Sequence, residues 1–380
     1  MRKLLFILLF YSLLTSPSNA TIRRVGYIAS FQPVLGLDYN NFQAAHDASA
    51  TGDTVQLYSS TSAITYIGTI SKAIIILGPG YFTNSYSITG TEIANANLQI
   101  MPGVITSCNF QIDLGSAGVV MQGINGLTIS TIDQPNALNN ITINRCRNVS
   151  IAYANSANCN GWVIAQCYGV TIVQTGPNAG FTGNRTINNL SIRNSVLFSS
   201  LALSTSPTGT YTGNMIYNCA FNSGSSLSLN NAVFTIQNCI FENQNFAGIT
   251  NCAFVKCLTT QTAISNPIST NAGSSGNIFN VPFTNVYNGY PSNPLSGSSN
   301  TYSNDGRFTL KAGSPALAAG FLPGTSTITD CGVYGGTSPG TSPYILSGIP
   351  AIPVYYKLVS PSAITNGNTY TITFSVRSNN

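Results

Sequence analysis

Acids, bases and thiols that could do chemistry are sparse in this chain. Nine Asp or Glu and 14 Lys or Arg occur in 380 residues, with His46 the only histidine. A glycosidase needs two carboxyl groups about 5–9.5 Å apart. Between Leu114 and Asn304 the only acids are Asp133 and Glu242, and 242 − 133 = 109 residues separate them. On a repeat of about twenty residues that is roughly five strand spacings, on the order of 25 Å, so they do not pair. Asp113 and Asp133 lie one repeat apart and are the best remaining carboxylate pair.

A polysaccharide lyase needs a basic side chain, and usually a calcium ion held by several acids. Arg145, Arg147, Arg185, Arg193, Lys72 and Lys256 are the basic residues of the middle of the chain. Aligning Asn140-Ile-Thr-Ile with Asn189-Leu-Ser-Ile sets Arg193 opposite Asn144, so the arginines do not form one column. No acidic cluster accompanies them. His46 reads as a solvated helix residue, and Asp330 as a turn or capping residue. Nine cysteines leave at least one thiol unpaired, and no C-x-x-C or Cys…His pattern supports zinc. The sequence therefore assigns no catalytic, cofactor-binding or metal-binding residue.

The elements that would position such groups are short β-type runs broken by Gly, Asn and Ser. Ala73-Ile-Ile-Ile-Leu77, Asn97-Leu-Gln-Ile100, Leu127-Thr-Ile129, Asn140-Ile-Thr-Ile143, Val170-Thr-Ile-Val173 and Asn189-Leu-Ser-Ile192 are examples. No amphipathic helix interrupts them. An internal repeat then selects the architecture. A polar residue followed by Cys or Ser recurs at Cys108, Cys146, Cys167, Ser195, Cys219, Cys239 and Cys252. Successive spacings are 38, 21, 28, 24, 20 and 13. A centre near twenty is one turn of a parallel β-helix, with 38 as a doubled step.

Stacking explains the composition. Coils about 4.8 Å apart pile like residues into columns. Equal charges in a column repel by roughly 1 kcal/mol per step even in water. Ser, Thr and Asn avoid that cost, and charged residues are only 6% of the chain, against about 25% in ordinary globular proteins. Asn tolerates the left-handed bend, and Cys beside it reads as a small buried hydrophobe. The Cys252/Cys257 and Cys159/Cys167 pairs leave disulfides open.

The ends carry their own signals. Arg2 and Lys3, an apolar run from Leu4 to Leu14 and Thr15-Ser-Pro-Ser-Asn-Ala20 read as a secretory signal peptide cleaved after Ala20. The run is too short to span a bilayer, and no later stretch reads as a transmembrane helix. Without Arg2 and Lys3 the net charge falls from +5 to +3, too weak and scattered for nucleic acid. A capping helix is predicted over the stretch after Asn40 and Asn41, with Phe42 and Ala45 on one face and Gly52 as its C′ residue. Asp53 to Leu57 then starts the first strand. Thr369 to Val376 alternates as a strand and is predicted to pair with Val354 to Leu358.

Phe42-Gln-Ala-Ala-His-Asp-Ala-Ser-Ala-Thr-Gly-Asp-Thr-Val-Gln-Leu57 resembles the cap helix and first strand of secreted bacterial right-handed β-helix proteins of pectate-lyase-like fold. Phe308-Thr-Leu-Lys-Ala-Gly-Ser-Pro-Ala-Leu-Ala-Ala-Gly320 and Thr329-Asp-Cys-Gly-Val-Tyr-Gly-Gly336 are similar to the closing segment of that group. The tail from Ile349 is similar to those of Bacteroidetes members. The resemblance implies an all-β, right-handed parallel β-helix, with a short N-terminal capping helix and a C-terminal β tail. It implies little about activity, because that fold hosts lyases, hydrolases, adhesins and inert shafts. Two departures stand out: cysteines recur in the coils, and the acidic clusters that hold calcium in lyase members are missing.

The organisation expected is a signal peptide over 1–20, a solenoid over 21–347 and a β tail over 348–380. The functional expectation is a secreted or cell-surface protein, with the periplasm as another address. It binds polysaccharide or surface glycan, or acts as an adhesin-like module, without catalysis and without a cofactor. A polysaccharide lyase is the alternative. Ice binding is disfavoured because no Thr array repeats at the coil period.

Overall fold

The computed structural model describes residues 20–26, 35–58, 64–81, 107–132, 137–154, 158–174, 186–198, 201–203, 211–222, 227–229, 232–244, 246, 249, 251–262, 267–289, 305–336, 343–346, 353–359 and 373–378. The leader up to Asn19, Asn97 to Ile100, Asp133, Arg185 and Thr369 to Ile372 lie outside these.

The chain forms a parallel β-helix, with the right-handed winding that parallel crossovers take. Two eleven-stranded sheets and one three-stranded sheet make its walls. In the first sheet one register column runs Val55, Ile76, Met121, Ile143, Ile164, Ile192, Ile216, Ile236 and Phe254. Every member is buried. The steps are 21, 45, 22, 21, 28, 24, 20 and 18 residues, and the long step contains 82–106. A period near twenty therefore holds, with loops absorbing the excess. The alternation of buried and outward residues in Ser107–Ile112 and Leu127–Thr131 follows from the period-two geometry of strands.

Among the described residues, left-handed positions line up at two bends between walls. At one corner, left-handed positions run Arg145, Gln166, Asn194, Asn218, Asn238 and Lys256, all with φ between 46° and 55°. Each donates its N–H to the next coil, as Asn194 does to Tyr217 and Asn218 to Gln237. The side chain after each bend points inward: Cys146, Cys167, Ser195, Cys219, Cys239 and Cys257. The thiols repeat one pattern. Cys239 Sγ donates to the Gln237 carbonyl and to that of Ile216 on the previous coil, and Cys219 does the same with Tyr217 and Ile192. All nine cysteines are free and buried, so neither candidate disulfide forms.

This ladder corrects two assignments. Cys257, not Cys252, is its last member, because the final coil step shortens to 18 residues. Cys252 lies in the first sheet opposite Phe234. Cys108 is likewise off the ladder, in the second sheet opposite Leu127.

At the other corner Asn140, Gly161, Asn189 and Gly213 alternate, all at positive φ. The Asn140 carboxamide oxygen fills the place a Cβ on Gly161 would need, and Asn189 does the same over Gly213.

The N-terminal end is closed as a cap requires. Strands Ile22–Val25 and Asp38–Tyr39 precede Thr54–Leu57 on the same sheet, so Thr54–Leu57 is not the first strand. Helix Phe42–Ala48 follows Asn41, whose side chain accepts the Ala44 N–H at 2.8 Å. Ser49 is its C-cap, and Gly52 (φ 90°) lies in the turn beyond rather than at C′. Phe42 drops into the core against Phe110, ring centroids 4.4 Å apart. Gly68 makes that room, since a Cβ there would strike the Phe42 ring.

His46 is buried, not solvated. A first coil leaves edge N–H groups without strand partners, and the helix answers them. Gln43 Oε1 accepts the Thr69 N–H at 2.7 Å, and His46 Nε2 accepts that of Ser71 at 3.1 Å. At the far end the Asn271 and Asn277 amides cover the carbonyls of Ile249, Cys252 and Phe254.

Residues 305–336 and 343–346 form no further coil of these sheets. They run back along the bend corner as a strap. Carbonyls of Phe321, Asp330, Val333, Gly335 and Pro343 accept the side-chain amides of Asn238, Asn218, Asn194 and Gln166. Beneath the strap lies an outward column of the second sheet: Tyr168, Val196, Ala220, Ile240 and Leu258. It is buried with Phe283, Tyr287, Phe308, Cys331 and Val333 in a second apolar cluster outside the tube. Pro353–Val359 and Thr373–Ser378 pair as an antiparallel hairpin. No described helix is long and apolar enough to cross a membrane.

Candidate functional site

The outward side of the second sheet over its N-terminal coils is an open, regular surface. One column runs Ile67, Asn109, Thr128, Ser150 and Thr171, and its neighbour Thr69, Gln111, Ser130, Ala152 and Val173. Ile67, Asn109, Gln111 and Thr128 are exposed and the others half-buried. Thr65 and Ser107 hydroxyls meet at 3.0 Å along the same edge. These columns carry no charge. Each coil offers a hydroxyl or amide at about 4.8 Å intervals, held by a rigid parallel ladder.

The charged candidates are dispersed around this face. Asp113 is half-buried and accepts the Leu114 N–H. Its proposed mate Asp133 lies outside the described residues. Glu242 is buried. Arg145 Nε donates to Gln166 Oε1, and burial depresses the Arg145 pKa. Arg147 stands on the second sheet opposite Tyr168. Arg193 donates to the Tyr217 hydroxyl, and the register Asn144, Ala165, Arg193 keeps it off the Arg145 position. Lys72 sits on the carbonyls of His46, Asp47 and Ser49 at the helix end. Lys256 lies 4.7 Å from the Phe321 ring. Asp330 Oδ1 accepts the Ala318 N–H, holding the strap's own turn. No group of three metal-ligating side chains occurs among the described residues.

One titratable cluster has no sequence signature. Asp305 is fully buried, and accepts the Tyr344 hydroxyl at 3.2 Å. Tyr344 in turn meets the Tyr81 hydroxyl at 2.5 Å, and Tyr334 donates to the Asp305 carbonyl. Burial and the Asp305 charge push the Tyr81 hydroxyl well above its ordinary pKa. The cluster ties the strap to the first coils and lies beneath the surface. Asn304-Asp-Gly306 reads only as a turn, so no spacing signals Asp305 in advance.

The arrangement thus offers two uncharged, repeating hydrogen-bonding columns, and the close acid–base contacts Arg23–Asp53, Arg24–Asp38 and His46–Asp47 lie at the N-terminal cap instead. No protein-family model matches the chain, and no curated protein matches it.

Proposed function

We propose that this chain acts outside the cytoplasm as a non-catalytic solenoid that binds polysaccharide or surface glycan. The observation that carries the reading is the uncharged double column from Ile67 and Thr69 to Thr171 and Val173. A polyhydroxylated chain lying along the coil axis meets hydroxyls and amides at regular intervals, so many weak hydrogen bonds add. No fixed charge lies in those two columns to be desolvated, Arg147 standing in the column beside them. The export-like first twenty residues support an extracytoplasmic address.

Retention on immobilised polysaccharides tests this. Asn109→Ala, Gln111→Ala and Thr128→Ala combined should lower retention at least tenfold without moving the melting temperature. Bound polymer should elute undegraded. Release of unsaturated uronate products would instead establish a lyase, which the fold resemblance alone supports. Equal retention by the triple variant would discard this face.

A further inference from the structure

The N-terminal strand holds an arrangement that no glycan reading uses. The Thr21 backbone nitrogen lies 2.8 Å from Asp53 Oδ1. The same carboxylate accepts the Ala50 N–H at 2.9 Å, and its other close charge is Arg23, 3.4 Å away. Its side chain is 6% exposed. Arg24 is engaged elsewhere, with Asp38 at 2.6 Å. Burial alone raises the Asp53 pKa, but the N–H groups of Thr21 and Ala50 and the Arg23 charge outweigh it, and the group sits below its usual range.

Thr21 is the residue that follows the small residues Ser18 and Ala20 of the export-type leader. Ala20 itself is exposed, whereas Thr21 is half-buried and its carbonyl accepts the Thr54 N–H. The first strand therefore takes hold where a leader peptidase would leave a new end. We propose that hydrolysis of the Ala20–Thr21 bond by a signal peptidase frees an α-ammonium on Thr21 that pairs with Asp53 and locks the N-terminal cap. Water supplies the hydroxyl to the Ala20 carbonyl, and the Thr21 nitrogen gains a proton and then a second from solvent. A neutral amide contact becomes a charge-assisted one, roughly twice as strong. Strand Ile22–Val25 is paired on both sides, so the bond is open to a peptidase only before that strand docks. Cleavage comes first and cap closure second.

The test has two parts. N-terminal sequencing of the exported protein should read Thr21, and any other first residue overturns the proposal. Chains 21–380 and 18–380 are then compared by thermal unfolding. The form beginning at Thr21 should melt about 2 °C or more higher. Asp53→Asn in both should erase the difference. Equal melting of the two wild-type chains, or a difference that survives Asp53→Asn, overturns the pairing. If Asp53→Asn does not fold, the wild-type comparison decides alone.

Discussion

A single outward column of the second sheet has two different lives. At its N-terminal end it reads Asn125, Arg147 and Tyr168, beside open Ser, Thr and Asn columns. From Tyr168 onward it reads Val196, Ala220, Ile240 and Leu258, every one buried under the strap. Both stretches pair in parallel within one sheet, but a left-handed residue follows Asn125, Arg147 and Tyr168 (Gly126, Asn148 and Gly169), and none follows Val196, Ala220, Ile240 or Leu258. They differ also in what covers them: outward in a coil does not mean exposed. The change of residue type at Tyr168 marks where the cover begins.

Substitutions on the two stretches should separate sharply. Ile240→Asp places an unpaired charge under the strap and should cost at least about 4 kcal/mol. Thr128→Asp, in the open column beside the uncovered stretch, should stay within about 0.5 kcal/mol. Chemical denaturation of both variants measures the contrast, and equal losses would break it. Asn238→Ala comes next, at about 2 kcal/mol. It forfeits the amide bonds to Phe321 and Asn218 and strains a left-handed residue. Asn148 has a similar φ but is exposed, so Asn148→Ala should cost about 1 kcal/mol.

The thiols should show the same contrast between inside and outside through pH. Burial holds the Cys252 thiol up at about 12, against an ordinary 9.0, and raises Cys108 as well. Unfolded thiols lose their protons first as pH climbs. The thiols' contribution to stability is therefore fully present below pH 9 and should be lost as pH rises above it. Folded protein should resist alkylation at pH 8, while denatured protein should label at nine sites. A small effect, about 1 kcal/mol or less, is expected for Cys239→Ser, because Ser195 already fills a rung. Its hydroxyl donates to the Arg193 carbonyl at 2.8 Å, as the neighbouring thiols do.

Much of the wall was readable in advance because it is local. A bend residue followed by a small inward one and then an apolar one states coil geometry directly, and the Asn–Cys pairs deliver it. The reading slipped where two local solutions look alike. Asn251-Cys-Ala-Phe254 imitates Asn238-Cys-Ile-Phe241, yet the shortened coil moves Lys256-Cys257 to the corner instead. Long-range partners left no trace. Nothing near Asn218 announces the Asp330 carbonyl 112 residues away, and nothing near His46 announces the edge N–H of Ser71. Asp305 left no trace for the same reason: it meets Tyr344, and through it Tyr81, only by way of the strap. The uncharged face was foreseeable as composition, but which sheet stays bare depends on the cover.

The alternation of Asn140, Gly161, Asn189 and Gly213 reaches beyond stability into how such a tube could lengthen. A copied coil bearing Asn would set two amide side chains where one amide and one vacancy belong, and a copied Gly coil would leave a hollow. At that corner the heritable unit of growth is the pair, so additions or losses in related chains should come two turns at a time.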